Sequence, residues 1–247
     1  MQLPHAMSLV GKRIAITGAA GGIGTEMARA CGKLGAALVL IDRDDPADLA
    51  GTLLNDGVDV AHVACDVTDR SAVDEMATAQ GPVDALITAA GICPFGDWID
   101  DDGWEDEFRQ VMDVNVLGSL NAVRAWLPAM RTKRSGRIVL IGSIGGRNGG
   151  ASPIVQPHYV ASKGGIHALV WWLAKRETAN GILVNGVAPG PIGTEMTATT
   201  DYPTDRFPLG RVGKAAEIAW PAAFLCTEGA SYFSGSVLDV NGGLYAN

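Results

Sequence analysis

A tyrosine and a lysine lie four residues apart, at Tyr159 and Lys163, in the stretch PHYVASKGG. On an α-helix this spacing places both side chains on one face. A phenol with a pKa of about 10 is a poor base at neutral pH, whereas a neighbouring ammonium group favours the phenolate. The pair could therefore take a proton from an alcohol or return one to a carbonyl oxygen. The alternative is that both side chains merely pack or face solvent.

A cluster of glycines near the N-terminus is a candidate nucleotide site. Gly18, Gly22 and Gly24 follow a predicted strand over residues 13–17 and open a predicted helix. Glycines at such a turn let the backbone approach a pyrophosphate, and the helix start offers free N–H groups and a partial positive charge. Glycines also make ordinary turns, but this position in the chain favours a dinucleotide site.

Asp42 ends the second predicted strand, 24 residues after Gly18. A carboxylate there can accept hydrogen bonds from both hydroxyls of the adenosine ribose, and it repels a 2′-phosphate. No Lys or Arg lies between Gly18 and Gly24, and Arg43 is the one nearby cation. We therefore predict NAD rather than NADP as the cofactor. The alternative for Asp42 is that it only stabilises a turn.

These residues need a scaffold, and the hydrophobic pattern predicts one. Short runs rich in β-branched residues alternate with amphipathic segments over nearly the whole chain. The predicted strands are residues 13–17, 37–41, 58–64, 85–88, 137–141, 183–187 and 237–240. The predicted helices are residues 22–34, 46–55, 71–79, 104–130, 159–179 and 215–227.

The alternation of strands and helices predicts an α/β fold, namely a doubly wound parallel sheet of the Rossmann type with about seven strands and helices on both faces. Several predicted strands are apolar throughout, as expected for strands buried on both faces. Neither a linker nor a repeat interrupts the pattern, so we expect one domain over residues 1–247. The irregular stretch 189–211 contains four prolines and is predicted to be a binding loop.

Composition argues against several classes of function. The net charge is −8 and the longest basic cluster is the short run at 131–134, so we expect neither nucleic acid nor an anionic membrane as a partner. Neither a membrane-spanning apolar segment nor a signal peptide is found. The four cysteines form no C-x-x-C pair and the histidines lack zinc spacing, which predicts a cytoplasmic protein with reduced thiols and no metal.

Together these motifs resemble the short-chain dehydrogenase/reductase family, in its common branch of about this chain length. The resemblance covers nearly the whole chain, and the order and spacing of its motifs are more specific than any one of them. The motifs are Thr17-Gly18-x-x-x-Gly22-x-Gly24, Asp66, Ala90-Gly91, Asn115, Ser143, Tyr159-x-x-x-Lys163, Pro189-Gly190-x-Ile192-x-Thr194 and the VNGG at 240–243.

The resemblance implies hydride transfer between NAD(H) and an alcohol or ketone, with Tyr159 as acid and base. It implies that Lys163 also binds the nicotinamide ribose and that Ser143 holds and polarises the substrate oxygen. The interval of 16 positions between Ser143 and Tyr159 is three longer than is common in the family. Ser152 is therefore a rival, but Ser143 is preferred because it directly follows a predicted strand, at the sheet edge that binds ligands.

Other site residues are implied by the same resemblance. Asp66 would accept a hydrogen bond from the adenine amino group, or would only form an Asx turn. Asn115 would hold a water in a proton relay, or would be a core amide satisfied locally. The Ile192 backbone would meet the nicotinamide carboxamide, and the Thr194 hydroxyl would contact the carboxamide or a phosphate. The remaining predicted cofactor contacts are Ile23, Val67, Ala90, Gly91, Pro189 and Gly190.

The chain departs from the family pattern after the fourth predicted strand, where Thr88-Ala89 replaces two asparagines that usually brace this turn. Three segments are expected to line the substrate pocket: residues 92–98, 147–156 and 196–207. Their partly apolar members are Cys93, Phe95, Trp98, Ile154, Val155, Met196 and Tyr202, and Arg147 is expected to face solvent.

These segments predict a small to medium, uncharged secondary alcohol or ketone as the substrate. The alternatives are a lyase or isomerase on the same scaffold, and a non-catalytic NAD-sensing protein. The resemblance also implies a homotetramer. Trp126, Trp171 and Trp172 lie in the segments that would form its interfaces, and the alternative for them is packing in the core.

Overall fold

A computed structural model describes residues 5–99, 102–152 and 154–246. Its strands are β1 (Arg13–Thr17), β2 (Ala37–Asp42), β3 (Val60–Ala64), β4 (Ala85–Thr88), β5 (Gly136–Ile141), β6 (Ile182–Pro189), β7 (Ile192–Gly193), β8 (Gly213–Lys214) and β9 (Val237–Val240). Its α-helices are α1 (Gly22–Lys33), α2 (Ala47–Asn55), α3 (Arg70–Gln80), α4 (Trp104–Met112), α5 (Ser119–Lys133), α6 (Gly145–Asn148), α7 (Pro157–Glu177) and α8 (Ala215–Leu225).

Seven of these strands form one parallel sheet in the order β3-β2-β1-β4-β5-β6-β9. The chain moves outward from β1 in one direction and then returns to continue from β4 in the other. Such a reversal leaves a crevice at the carboxyl ends of β1 and β4, where ligands bind in open α/β sheets. The predicted doubly wound Rossmann-type fold is thereby confirmed. The short strands β7 and β8 pair with each other outside this sheet.

The core consists of two apolar layers, one on each face of the sheet. In β1, Ile14 and Ile16 join the layer that contains Met27 of α1 and Ile218 of α8, whereas Ala15 joins the opposite layer. The opposite layer contains buried residues of α3, α5 and α7. Because side chains alternate along a strand, an uninterrupted apolar strand is stabilised by contacts on both faces at once. This burial holds the strand ends, and the polar residues that follow them, in place.

Most predicted boundaries shift by one or two residues, and two long helices differ in a way that has a clear cause. The helix predicted over residues 104–130 is divided into α4 and α5 by a π-helical turn at Asp113–Gly118. Such turns occur inside otherwise α-helical segments, so the chain stays helical through the division. The helix α7 begins at Pro157 rather than Tyr159, because a proline fits the first helical position, where its missing N–H costs nothing.

No helix among the described residues is long and apolar enough to cross a membrane.

Candidate active site

Two adjoining cavities open near the carboxyl ends of the strands. The larger, which we call the glycine cavity, has a volume of about 690 Å³ and is bounded by the glycine turn after β1, the end of β2 and the turn after β4. The smaller, the tyrosine cavity, has a volume of about 130 Å³ and lies against β5, β6 and α7. The two cavities are neighbours, since five residues line both of them: Ile23, Ala89, Gly91, Thr194 and Met196.

The turn after β1 forms one wall of the glycine cavity, and its backbone is packed too closely for side chains at its glycines. Gly18 has φ +70°, and a Cβ on it would lie 2.5 Å from the amide nitrogen of Ala90. A Cβ on Gly24 would lie 1.9 Å from the Gly18 carbonyl oxygen, and one on Gly22 would lie 2.9 Å from Thr194 Cγ2. The turn therefore requires glycine at these positions, and it presents the start of α1 to the cavity. These residues fit the diphosphate of a dinucleotide.

Asp42 connects the end of β2 to the glycine turn. Its Oδ2 accepts a hydrogen bond from the Ala20 N–H at 2.9 Å, and its Oδ1 accepts one from the Arg43 N–H at 2.7 Å. The carboxylate thus stabilises the turn, as the alternative interpretation held, and it also lines the glycine cavity together with Arg43. Binding of ribose by Asp42 stays a prediction.

Asp66 likewise stabilises a turn and also lines the glycine cavity. Its Oδ1 accepts hydrogen bonds from the Thr68 N–H at 2.9 Å and the Thr68 hydroxyl at 2.8 Å, which is an Asx-type turn. Asp66 and Val67 both line the glycine cavity. Both residues thus lie at the candidate cofactor cavity, whereas the contact of Asp66 with adenine stays a prediction.

The turn after β4 is braced without the two asparagines that are usual in the family. The Ala89 N–H donates to the Thr17 carbonyl oxygen at 3.1 Å, and the Ala90 N–H donates to Thr17 Oγ1 at 3.4 Å. The close approach of Gly18 to Ala90 holds the same turn against the glycine loop. The end of β1 thus supplies part of the bracing that the missing amides would provide.

Tyr159 and Lys163 lie on α7 and both line the tyrosine cavity. Lys163 Nζ donates a hydrogen bond to the Ile141 carbonyl oxygen at 2.9 Å and lies 5.8 Å from the centroid of the Tyr159 ring. Burial lowers the pKa of Lys163 to about 8. The lysine is therefore held between the end of β5 and the phenol, still mostly charged at neutral pH.

Burial also raises the pKa of the Tyr159 phenol well above its ordinary value; the nearby Cys93 adds to this, and a hydrogen bond with Ser143 acts in the opposite direction. Among the protein groups burial dominates, and the predicted lowering of the phenol pKa by Lys163 together with the positive nicotinamide of the oxidised cofactor stays a prediction. The phenol is protonated at neutral pH, the form that can give a proton to a carbonyl oxygen.

Ser143 follows β5 and lies beside the phenol. Its Oγ accepts a hydrogen bond from the Gly145 N–H at 3.0 Å, and it lies close enough to the Tyr159 phenol to lower the pKa of that phenol against the effect of burial. Its placement depends on Gly146, since a Cβ there would lie 2.6 Å from the backbone of Lys163. The rival Ser152 is buried but is not among the described residues that line the tyrosine cavity. The structure thus brings together Ser143, Tyr159 and Lys163.

Asn115 lies in the π-helical turn and is buried. Its Oδ1 accepts from the Ile92 N–H at 2.8 Å, and its Nδ2 donates to the Ile92 carbonyl oxygen at 3.0 Å and to Ser162 Oγ at 2.9 Å. Ser162 Oγ in turn donates to the Tyr159 carbonyl oxygen at 2.7 Å. The side chain is thus satisfied locally and joins the turn after β4 to α7, whereas its predicted role in a water relay is untested.

The segment after β6 borders both cavities. Pro189, Gly190 and Ile192 line the tyrosine cavity, and Thr194 lies between the two cavities. The hydroxyl of Thr197 donates to the Ile192 carbonyl oxygen at 2.6 Å and fixes this loop. The predicted cofactor contacts in this segment are therefore next to the phenol, although their partners stay predictions.

The predicted lining of the substrate pocket is correct in part. Five of the named residues line the tyrosine cavity: Cys93, Phe95, Val155, Met196 and Tyr202. Trp98 and Ile154 do not, because their side chains are exposed, and Pro153 lies outside the described residues. A bridge pairs Phe95 with Val155, and the Gly96 N–H donates to the Ile154 carbonyl oxygen at 3.0 Å. The long interval before Tyr159 is thus tied to the loop after β4.

One further prediction is wrong. The Arg147 side chain does not face solvent: it is only 13% exposed, and its Nε lies 3.4 Å from Asp239 Oδ1. For Trp126 the alternative of packing in the core is the correct one, because it is buried and its Nε1 donates to the Gly81 carbonyl oxygen at 3.1 Å. In both cases the partner lies on a segment distant in sequence, so no local pattern indicates it.

Sequence reasoning missed several residues near the cavities. Asp106, Arg109 and Gln110 of α4 line the glycine cavity, and nothing in the helical pattern distinguishes them from other polar surface residues. His167 is buried behind Ser143. Its spacing of four residues from Lys163 on one helix is the one signal that could have identified it.

Comparison with known proteins finds one family across most of the chain. The family model described as enoyl-(acyl carrier protein) reductase matches residues 18–245. A galactitol 2-dehydrogenase (L-tagatose-forming) of Cereibacter sphaeroides is 40% identical over 246 residues, which cover 95% of each chain.

Two solved structures have the same fold. A 3-oxoacyl-[acyl-carrier protein] reductase of Brucella melitensis with bound NAD is 33% identical, with a TM-score of 0.88 over 100% of this chain and 99% of that one. A gluconate 5-dehydrogenase of Burkholderia cenocepacia in complex with NADP and tartrate is 31% identical, with a TM-score of 0.87 over 97% of each chain.

Proposed function

This chain belongs to the short-chain dehydrogenase/reductase family, and we propose that it is an NAD-dependent alcohol dehydrogenase/carbonyl reductase with Tyr159 as its acid and base. The observation that carries this proposal is the placement of Tyr159, Ser143 and Lys163 around one small cavity that adjoins a glycine-lined one. A substrate oxygen in the tyrosine cavity would meet both hydroxyls. The other cavity would hold a dinucleotide.

The steps assigned to the protein follow from its own groups. The bound nicotinamide supplies or accepts the hydride. In reduction, Tyr159 donates its phenolic proton to the forming alkoxide, while Ser143 holds the same oxygen. The charge of Lys163 then favours the resulting phenolate, and in oxidation Tyr159 takes the hydroxyl proton. In this proposal Lys163 also binds the nicotinamide ribose, and Asn115 keeps α7 aligned with the turn after β4.

The proposal of NAD rests on Asp42. Its carboxylate lines the glycine cavity while fixed by two backbone N–H groups, so a 2′-phosphate beside it would meet a negative charge that cannot turn away. Arg43 also lines this cavity and could partly offset that repulsion. Steady-state kinetics with both cofactors test the assignment: kcat/KM should be higher with NAD, and a clear preference for NADP would overturn it.

The proposed substrate class follows from the lining of the tyrosine cavity. Lys163, which is already engaged by the Ile141 carbonyl, is the one charged side chain among the described residues that line it. Cys93, Phe95 and Val155 supply apolar surface, and Tyr202 adds a hydroxyl. We therefore propose a small to medium, uncharged secondary alcohol or ketone, in which a further oxygen could meet Tyr202.

A substrate panel tests this class with purified protein and NAD(H). It should include cyclic, aromatic and polyhydroxy secondary alcohols, the matching ketones, and a 3-oxoacyl thioester. We expect turnover of at least one uncharged alcohol–ketone pair. Activity confined to acyl-carrier or coenzyme A thioesters would refute the substrate class while leaving the assignment of Tyr159 intact.

The variant Tyr159→Phe tests the mechanism. We expect kcat to fall by at least roughly 10²-fold, as is typical for loss of a general acid or base, with unchanged thermal stability and NAD affinity. The matched control is Tyr232→Phe, because Tyr232 is fully exposed. Unchanged kcat in Tyr159→Phe would exclude the proposed acid and base, and product formation without net NADH change would indicate a lyase or isomerase instead. A non-catalytic NAD-sensing protein would bind NAD yet turn over nothing in the panel.

We further propose a cytoplasmic homotetramer. All four cysteines are free thiols, in keeping with a reducing compartment. Trp171 and Trp172 are exposed on α7, which is unusual for large aromatic side chains outside an interface. Multi-angle light scattering tests the assembly, with four chains expected; a monomer at micromolar concentration would overturn it.

A further inference from the structure

His167 is a buried titratable residue that the proposed reaction does not use. It lies on α7 one turn after Lys163, and only 2% of its surface is exposed. Tyr159, Lys163 and His167 are spaced four residues apart, so all three project toward the same side of the helix. On that side lies the backbone that leaves β5.

The imidazole contacts the segment that carries the substrate-holding serine. Its Nε2 accepts a hydrogen bond from the backbone N–H of Ser143 at 3.4 Å. The ring packs directly on Gly142, where a Cβ would lie 2.3 Å from Nε2 and 2.5 Å from Cδ2. The glycine thus allows the ring to approach the backbone closely enough to accept from the Ser143 N–H.

The surroundings keep this imidazole neutral. Burial lowers the pKa of His167 to about 4, with further contributions from the positive charges of Arg147 and Lys163. A neutral ring with its proton on Nδ1 leaves the Nε2 lone pair free to accept. Nδ1 has no hydrogen-bond partner among the described residues, so the contact to Ser143 is the one hydrogen bond of this ring in the described part of the chain.

We propose that His167 is a positioning residue, whose neutral imidazole holds the Ser143 backbone so that the Ser143 hydroxyl faces Tyr159 and the substrate oxygen. The inference rests on the proposed function, because it assigns His167 a role through Ser143. Three hydrogen bonds then orient the serine: His167 accepts from its N–H, the Gly145 N–H donates to its Oγ, and the Gly146 N–H donates to its carbonyl oxygen at 3.0 Å. His167 itself touches neither of the reacting groups.

Two amide substitutions separate this role from simple packing. In His167→Gln the side-chain oxygen reaches about the position of Nε2 and can accept from Ser143, whereas in His167→Asn the shorter side chain cannot. We expect near-wild-type kcat for His167→Gln and a roughly three- to tenfold lower kcat for His167→Asn, the effect of one hydrogen bond. Equal loss in both variants would overturn the proposal. Val170→Ala, a buried substitution on the same helix, controls for destabilisation alone.

A double-mutant cycle with Ser143→Ala identifies the route of the effect. If His167 acts through the serine hydroxyl, His167→Asn changes kcat by less than about twofold in the Ser143→Ala background. The same fold-loss in both backgrounds would mean that His167 acts in another way. If Ser143→Ala alone leaves kcat unchanged, the proposed role of Ser143 fails instead, so the two failures are distinguishable.

Amide exchange gives a readout that does not depend on turnover. The Ser143 N–H should exchange slowly in the wild type and in His167→Gln, and faster in His167→Asn, relative to the neighbouring Ile144 N–H, which donates to the Pro189 carbonyl oxygen. Rapid exchange of the Ser143 N–H in the wild type would show that this hydrogen bond does not persist in solution and would refute the proposal.

Discussion

The glycine cavity and the tyrosine cavity adjoin, yet they are built by different means. The first contains a wall formed by backbone, where the glycines of the turn after β1 bring main-chain atoms within contact distance of one another. The second is formed by side chains that are buried together, among them a phenol, an ammonium group and a thiol. Burial raises the pKa of the Cys93 thiol to about 12, so that group stays neutral beside them.

The glycine turn and the tyrosine cavity lower the stability of the folded protein for different reasons. The turn requires glycine for steric reasons, and glycine loses more backbone conformational entropy on folding than other residues do. A cluster of buried polar side chains costs free energy of unfolding, because each group loses contact with water. Substitutions in the first region should therefore reduce ligand binding and stability together. Substitutions in the second should reduce turnover and can increase stability.

The largest expected effect tests the buried side chains of the tyrosine cavity. Lys163→Met should lower kcat by roughly 10²- to 10³-fold, since the phenolate loses its neighbouring charge. Because the folded pKa of Lys163 is lowered to about 8 from 10.5, its charge opposes folding below that pH. The substitution should thus raise the free energy of unfolding at pH 7, by roughly 1–3 kcal/mol after loss of the hydrogen bond to Ile141.

Denaturant unfolding and steady-state kinetics measure the two quantities. Lys175→Met, at an exposed position of the same helix, is the control and should change neither one. Lower stability in Lys163→Met would contradict the view that this region exchanges stability for function.

The second largest effect tests the glycine turn of the glycine cavity. A Cβ on Gly24 would lie 1.9 Å from the Gly18 carbonyl oxygen, so Gly24→Ala must displace the turn. We expect NAD affinity to fall by at least roughly 100-fold and the free energy of unfolding to fall by about 1–3 kcal/mol. Calorimetric titration and thermal unfolding measure both. Gly51→Ala on α2 is the matched control, because no atom lies within 4 Å of its Cβ, and it should stabilise the helix slightly.

A smaller effect concerns the Asp42 carboxylate, which lines the glycine cavity and accepts hydrogen bonds from two backbone N–H groups. Asp42→Asn keeps an oxygen that can accept from the Ala20 N–H but removes the charge. We expect the ratio of kcat/KM for NADP to that for NAD to rise by roughly tenfold. Asp44→Asn, which also lines this cavity, should leave the ratio nearly unchanged. An unchanged ratio in Asp42→Asn would remove the basis for predicting NAD.

The smallest effect is a pH dependence from the buried histidine. The folded pKa of His167 is about 4, against an ordinary 6.5, so between these values the unfolded chain binds more protons than the folded one. The free energy of unfolding should therefore fall as the pH falls through this window, by about 1 kcal/mol between pH 7.5 and 5.5. Denaturant melts should show a weaker dependence in His167→Gln. An identical slope in that variant would assign the effect to other groups.

How far the sequence predicts this site depends on whether the relevant contacts are local. Runs such as ALVLID indicate a buried strand wherever they occur, and the sheet contains all seven of the predicted strands with small changes at their ends. The glycine turn is local as well. The exposure predicted for Arg147 is wrong, and the sequence leaves Trp126 undecided between an interface and the core, because their partners, Asp239 and Gly81, lie far away along the chain.

The sequence by itself determined the order of strands and helices, the glycine turn and the spacing of Tyr159 from Lys163, because these depend on periodicity and on residue types within a few positions. The tertiary structure alone decided that Ser143 rather than Ser152 lies beside the phenol, that Thr17 braces the turn after β4, and that His167 contacts the serine backbone. It also decided the pKa of Tyr159, because burial acts on a charged group only after distant segments have packed around it.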